Sequence, residues 1–183
     1  MILDPIFICL FISIGMLLFR ISKKKASSKI PRAVSKNIVK GQVCYVYDGD
    51  TVSVLVDGKM IRVRLDSIDC PEDGQAWGDT AKAGLIKMIG GKSVFLELHC
   101  IDRYNRTVAT IYLKDKKKFV NVNERMVMLG HAWVYRSFYG HLSEYRKVQL
   151  NRLENWAISK RVGLWRAENP IAPWDWRRQS ETA

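Results

Sequence analysis

At 183 residues and 48% hydrophobic, the chain is long enough for one ordinary domain plus extensions. Its formal charge of +12 points to a polyanionic partner, but +7 of it lies in residues 1–40, so charge alone argues only weakly that the folded part binds nucleic acid. Cys9, Cys44, Cys70 and Cys100 show neither CxxC spacing nor a His/Cys cluster, which argues against a zinc site and leaves Cys44 and Cys100 as either a disulfide or two half-buried thiols.

Ile6 to Phe19 is almost wholly apolar, with Asp4 before it and Arg20 and Lys23–Lys25 after it. Neither a basic leader nor a cleavage site accompanies it, and with its flanks it approaches the roughly 20 residues that span a bilayer. Residues 1–21 therefore read as an uncleaved transmembrane helix. Residues 22–40, rich in Ser and Lys with Pro31, read as a flexible basic linker.

The folded domain is expected over 41–178, with 179–183 as a tail. Val43–Tyr47 reads as a strand, followed by an acidic turn at Asp48-Gly49-Asp50-Thr51. Val52–Val56 and Met60–Leu65 form a hairpin about Asp57-Gly58. After Asp69-Cys70-Pro71-Glu72, Asp79 or Thr80 can cap a helix whose apolar face is Ala81, Leu85, Met88 and Ile89. Ser93–Leu98 and Thr107–Leu113 are the fourth and fifth strands, joined by a turn at Asp102–Arg106. Lys114–Lys118 is a charged turn. Asn121–Leu129 and Leu142–Arg161 complete three helices, and the tail with Trp165, Trp174 and Trp176 straps across the surface. The fold class is α+β, a five-stranded barrel of OB type with three helices, and that architecture does not by itself select a function.

The antiparallel return through the hairpin brings Asp69 and Glu72 towards Asp50. Carboxylates with an arginine nearby suit a hard cation and a phosphate, since the cation prefers oxygen and the guanidinium matches phosphate oxygens. Asp48 and Asp50 taken alone are ordinary turn residues; paired with Asp69 and Glu72 they read as a metal site. Asp66 has no matching role and reads as surface. His99, His131 and His141 are scattered and fit no zinc spacing.

These motifs, with Val122-Asn123-Glu124, Gly130-His131-Ala132-Trp133-Val134-Tyr135, Gly163-Leu164-Trp165 and the closing Pro173–Arg178, resemble the staphylococcal-nuclease-like, or thermonuclease, family over roughly 41–178. The resemblance implies an OB-fold domain and calcium-dependent hydrolysis of DNA and RNA, preferably single-stranded, to products with 3′-phosphates. It implies that Asp50 and Asp69 hold Ca2+ with their carboxylates and that Cys70 adds its backbone carbonyl. Glu72 would act on the attacking water, and Arg64 and Arg106 would bind the scissile phosphate. Two departures stand out: Cys70, whose thiol offers a route to oxidation, and Asn105 in place of a frequent glycine, a residue that tolerates positive φ. Tyr104, Tyr135, Phe138 and Tyr139 are candidate base-stacking surfaces. The expected protein is a membrane-anchored monomer. The lysines after the span favour a cytoplasmic domain, whereas a nuclease is more safely kept away from the genome. The alternative is a catalytically silent OB module, which would have little reason to keep the carboxylates and arginines together.

Overall fold

The structure, a computed structural model, describes residues 38–181. The expected anchor at 1–21 and most of the linker lie outside these residues. Among the described residues no helix is long and apolar enough to cross a membrane.

Apolar side chains at every second position build the barrel. The strands are β1 (Ile38–Val46), β2 (Thr51–Val56), β3 (Lys59–Leu65), the short β4 (Ile68–Asp69), β5 (Ser93–Ile101), β6 (Thr107–Asp115), β7 (Lys118–Asn121) and β8 (Trp133–Val134). The helices are α1 (Gly78–Ile89), α2 (Val122–Met128), α3 (Glu144–Ser159) and α4 (Pro173–Glu181), with single 3-10 turns at Arg136–Phe138 and Gly163–Arg166. Five strands, in the order β3-β2-β1-β5-β6, close through a parallel pairing of β3 with β6. Val43, Val52, Val54, Val63, Leu65, Val94, Leu96, Ala109 and Ile111 fill the interior. The barrel and helices agree with the expected α+β class.

The β2–β3 hairpin turns at Asp57 (φ 47°) and Gly58 (φ 77°), both left-handed, as a two-residue turn matched to strand twist requires. Lys116 (φ 53°) turns the chain between β6 and β7. The lysine-rich stretch is thus a turn as expected, but it leads into a strand that its charge concealed.

Helix α1 buries Ala81, Leu85 and Ile89 against the barrel. Its start differs from expectation: the cap is Trp77, left-handed at φ 75° with no side-chain cap, and not Asp79 or Thr80. The Trp77 indole N–H donates to His131 Nδ1 at 3.2 Å, so tertiary contacts set this boundary. Asn121 caps α2 by accepting from the Glu124 amide, and Ser143 caps α3 by accepting from Arg146. A further helix, α4, forms within the expected surface strap.

The buried Asn123 stitches three segments together. Its Oδ1 accepts from the Ile111 amide at 3.0 Å, and its Nδ2 donates to Asp66 O at 2.9 Å and Ala109 O at 3.3 Å. Gly130 and Gly163, both left-handed, meet back to back: a Cβ on either would lie about 2.1 or 2.2 Å from a carbonyl oxygen of the opposing loop. That approach lets the Leu164 amide donate to Gly130 O at 2.9 Å.

Candidate active site

The β1–β2 turn, the short strand β4 and the loop after it supply the carboxylates. The β1–β2 turn is held by the Asp50 amide donating to Asp48 Oδ1 at 2.8 Å. Pairing of Thr51 with Arg64 in the β2–β3 ladder places Asp50 beside the Arg64 guanidinium. Nη1 of Arg64 lies 2.9 Å from Asp50 Oδ2, and Nη2 lies 2.6 Å from Asp69 Oδ1. The Cys70 amide donates to Asp50 Oδ2 at 2.8 Å, and the Thr51 hydroxyl donates to Oδ1 at 3.1 Å. β4 fixes Asp69 by pairing it with Trp133 of β8.

Glu72 sits on the loop leading to α1. Its amide donates to Gln75 Oε1 at 2.9 Å, and Gln75 Nε2 donates to Ile171 O at 2.7 Å, tying this loop to the C-terminal segment. A Cβ on Gly78 would lie 2.2 Å from Glu72 O, so only glycine lets the helix start this close to that loop.

Burial pushes the Asp50 carboxyl well above its usual range; Arg64 opposes this, and Asp48 and Asp69 add to it. Burial also works against the Arg64 charge, but Asp50 and Asp69 outweigh it and hold the guanidinium above its ordinary value. The cluster's donors are all oxygens on side chains that already converge, the type a hard divalent cation takes, so the residues present fit Ca2+.

The parallel β3–β6 pairing of Val63 with Thr107 sets Arg106, just before β6, alongside the stretch of β3 that carries Arg64. Asp102 aims it: Oδ2 accepts from Arg106 Nε at 2.8 Å, and Oδ1 accepts from the Tyr104 and Arg106 amides at 2.9 Å. Burial alone would raise Asp102, but these hydrogen bonds outweigh it and hold its carboxyl below the usual value. Asn105 adopts φ 59°, the left-handed turn that asparagine accommodates.

Cys70 is 4% exposed, with its sulfur beside Gly49, and burial raises its thiol pKa well above the ordinary value. The expected route to oxidation is thereby closed. Cys44 and Cys100 are unpaired and exposed, neither bridged nor half-buried.

The candidate stacking residues separate. Tyr104 and Tyr135 line a cleft of about 510 Å³ together with Arg103, Arg136, Trp174 and Arg177. Tyr135 already stacks on Trp174, with centroids 5.4 Å apart and planes at 4°. Phe138 is exposed and leans on Tyr135 at 4.7 Å. Tyr139 packs against the hydrophobic core, beneath the Lys147 ammonium at 5.7 Å.

Arg177 is the site residue that the sequence reading missed. From α4, its Nη2 lies 2.8 Å from Asp69 Oδ2, and its Nη1 pairs with Glu72 Oε1. Burial lowers its affinity for a proton, but the bonds to Asp69 and Glu72 more than reverse this. Pro173 at the first helical position, ahead of two arginines, was the available signal for a helix here. Two further readings need correction. Asp66 is not on the surface but 4% exposed, and His99 and His141, distant in sequence, both meet it. His131 is packed beneath α1 and accepts from Trp77, and burial lowers its pKa.

Comparison with known proteins shows the family to which the chain belongs. The family model described as "Staphylococcal nuclease homologue" matches residues 62–167, a span that includes Arg64, Asp69, Glu72 and Arg106 and leaves out Asp50 and Arg177. Protein ParB of Escherichia coli is 40% identical over 147 residues, covering 78% of this chain and 81% of its own. Micrococcal nuclease of Shigella flexneri is 38% identical over 149 residues, covering 79% and 83%. An uncharacterized endonuclease of Haemophilus influenzae is 40% identical over 141 residues, covering 76% and 74%. With more than half the chain inside the family model and the carboxylate–arginine cluster assembled at one end of the barrel, the chain is a nuclease of the staphylococcal nuclease homologue family.

Proposed function

We propose that the protein is a calcium-dependent phosphodiesterase that hydrolyses DNA and RNA, preferably as single strands, and leaves 3′-phosphates. The observation that carries this reading is the convergence of Asp50 and Asp69 on Arg64 and of Asp69 and Glu72 on Arg177, with Arg106 held by Asp102. Asp50 and Asp69 would hold Ca2+ by their carboxylates, with the Cys70 carbonyl as a third oxygen. When bound, the ion supplies charge neutralisation at a phosphate oxygen.

The chain's own groups divide the remaining work. Glu72, partly exposed at the edge of the cluster, orients the attacking water and accepts its proton. Arg64 and Arg106 carry fixed positive charge against the phosphoryl oxygens as negative charge builds there, in a fork geometry that lysine cannot reproduce. Tyr104 and Tyr135 face the cleft and present aromatic surface to unstacked bases, consistent with a single-strand preference. Arg177 bridges Asp69 and Glu72, so it must release them, or share them, when the cation binds. The apolar run of residues 6–19 supports a membrane anchor, with the domain acting as a tethered monomer.

The test incubates the full-length chain with single-stranded DNA and RNA in Ca2+ or in a chelator, beside Asp69→Asn. Calcium-dependent cleavage with 3′-phosphate ends, lost in a folded Asp69→Asn, is the expected result. Strand binding without cleavage by the folded wild type would overturn it.

A further inference from the structure

On the flank of the barrel, apart from the carboxylate cluster, three metal-ligand side chains from three segments converge. Asp66 lies in the β3–β4 turn, His99 in β5 and His141 in the loop before α3. Their ligand atoms all lie within 4.8 Å of one another. His141 Nε2 is 3.0 Å from Asp66 Oδ2, and His99 Nε2 is 3.5 Å from the same oxygen. Donors bound at 2.0–2.1 Å in a tetrahedron sit about 3.3 Å apart, so these separations bracket what a zinc-sized ion needs.

The surroundings favour a cation over chance proximity. The β5–β6 register slips at His99, between Leu98↔Ala109 and Cys100↔Val108, and such a bulge re-aims a side chain. Arg146 Nη2 donates to Thr110 Oγ1 at 2.8 Å, and that hydroxyl lies 2.9 Å from His99 Nε2. With its oxygen occupied by Arg146, Thr110 can donate its proton to Nε2, which keeps that nitrogen unprotonated; an incoming ion takes over its single lone pair from the Thr110 hydroxyl. Arg146 is itself paired with Glu97 at 3.1 Å, so the Asp66 charge remains for an incoming ion. Asp66 is buried, whereas the His141 side chain is 42% exposed and gives an entry path.

We infer that Asp66, His99 and His141 form a second metal site, built from two imidazoles and one carboxylate, for Zn2+ or a similar borderline ion, with water completing the coordination. It joins the loop after Phe138 to the barrel wall and so anchors one end of the segment that carries Tyr135. The site does not depend on the calcium assignment.

The experiment titrates the untagged, metal-stripped full-length chain with Co2+ and then displaces it with Zn2+. One equivalent giving the intense visible bands of four-coordinate Co2+ is expected, retained in Asp69→Asn. His141→Ala and His99→Ala should each weaken binding by more than the roughly 10–100-fold that loss of an outer-shell partner costs. His141 is partly exposed, so its variant is expected to fold, which circular dichroism checks. Weak six-coordinate bands, bands unchanged in both histidine variants, or bands lost in Asp69→Asn would each overturn the assignment.

Discussion

Removing Arg177 should make the enzyme bind calcium more tightly. Its guanidinium bridges Asp69 and Glu72, the two carboxylates that the proposed reaction assigns to the ion and to the water. A charge-assisted hydrogen bond of this kind contributes about 1.5–3 kcal/mol when sheltered. The Arg177 side chain is 38% exposed, and solvent screening brings the pair down to roughly 1–1.5 kcal/mol. Calcium must displace or share that interaction, so Arg177→Ala should tighten calcium binding by about 10-fold. The same variant should lose about 1 kcal/mol of stability in chelator, because Asp69 forfeits a partner. Calorimetric titration of wild type and variant with Ca2+, without substrate, measures the first effect, and urea denaturation in chelator measures the second. Raising the salt should narrow the difference in affinity. A folded Arg177→Ala with unchanged or weakened calcium affinity would refute the competition.

Glu72→Gln should lower turnover by about 10²–10⁴, as expected for loss of a positioned base, while circular dichroism stays unchanged; near-normal hydrolysis by the folded variant would remove Glu72 from the reaction. Asp50→Asn should raise the thermal midpoint at neutral pH in chelator. A buried acid with a raised folded-state pKa costs stability as pH climbs from its unfolded value towards its folded one, so the gain should shrink as pH falls to about 4. A midpoint no higher than wild type at neutral pH would count against that sign, and the variant should also lose its stabilisation by calcium. Asn123→Leu leaves the Ile111 amide and the Asp66 carbonyl short of a partner, and at about 1–3 kcal/mol per buried group should destabilise by at least about 2 kcal/mol in urea unfolding. A loss below about 0.5 kcal/mol would contradict its role as a hub.

What could be read in advance was local. Asp57-Gly58 announces its hairpin because few residues accept two successive left-handed positions. Ala81, Leu85 and Ile89 announce α1 through their spacing, and Asp50, Arg64, Asp69 and Glu72 lie close enough in the chain for one hairpin to gather them. What escaped was decided at long range. Trp77 begins α1 because His131 holds it, Glu154 is buried on α3 because the Val134 amide donates to it at 2.8 Å, and β4 and β8 are too short to show any alternation. Asp66, His99 and His141 carry no shared spacing because a bulge and a loop, rather than one element, bring them together. Arg177 looked like one more basic residue in a tail until α4 turned it inward.

The parallel pairing of β3 with β6 has a consequence for when the protein becomes dangerous. Parallel neighbours cannot be joined by a tight turn, and this pair meets only after α1 and β5 have formed the crossover between them. Such a distant contact forms late. Under the proposed reaction, Arg64 and Arg106 are brought to one side of the barrel only by the pairing of β3 with β6. A chain that ends before β6 thus has Asp50, Asp69 and Glu72 but lacks Arg106 beside Arg64. Cutting activity is then expected of the closed barrel and not of a chain that stops before β6.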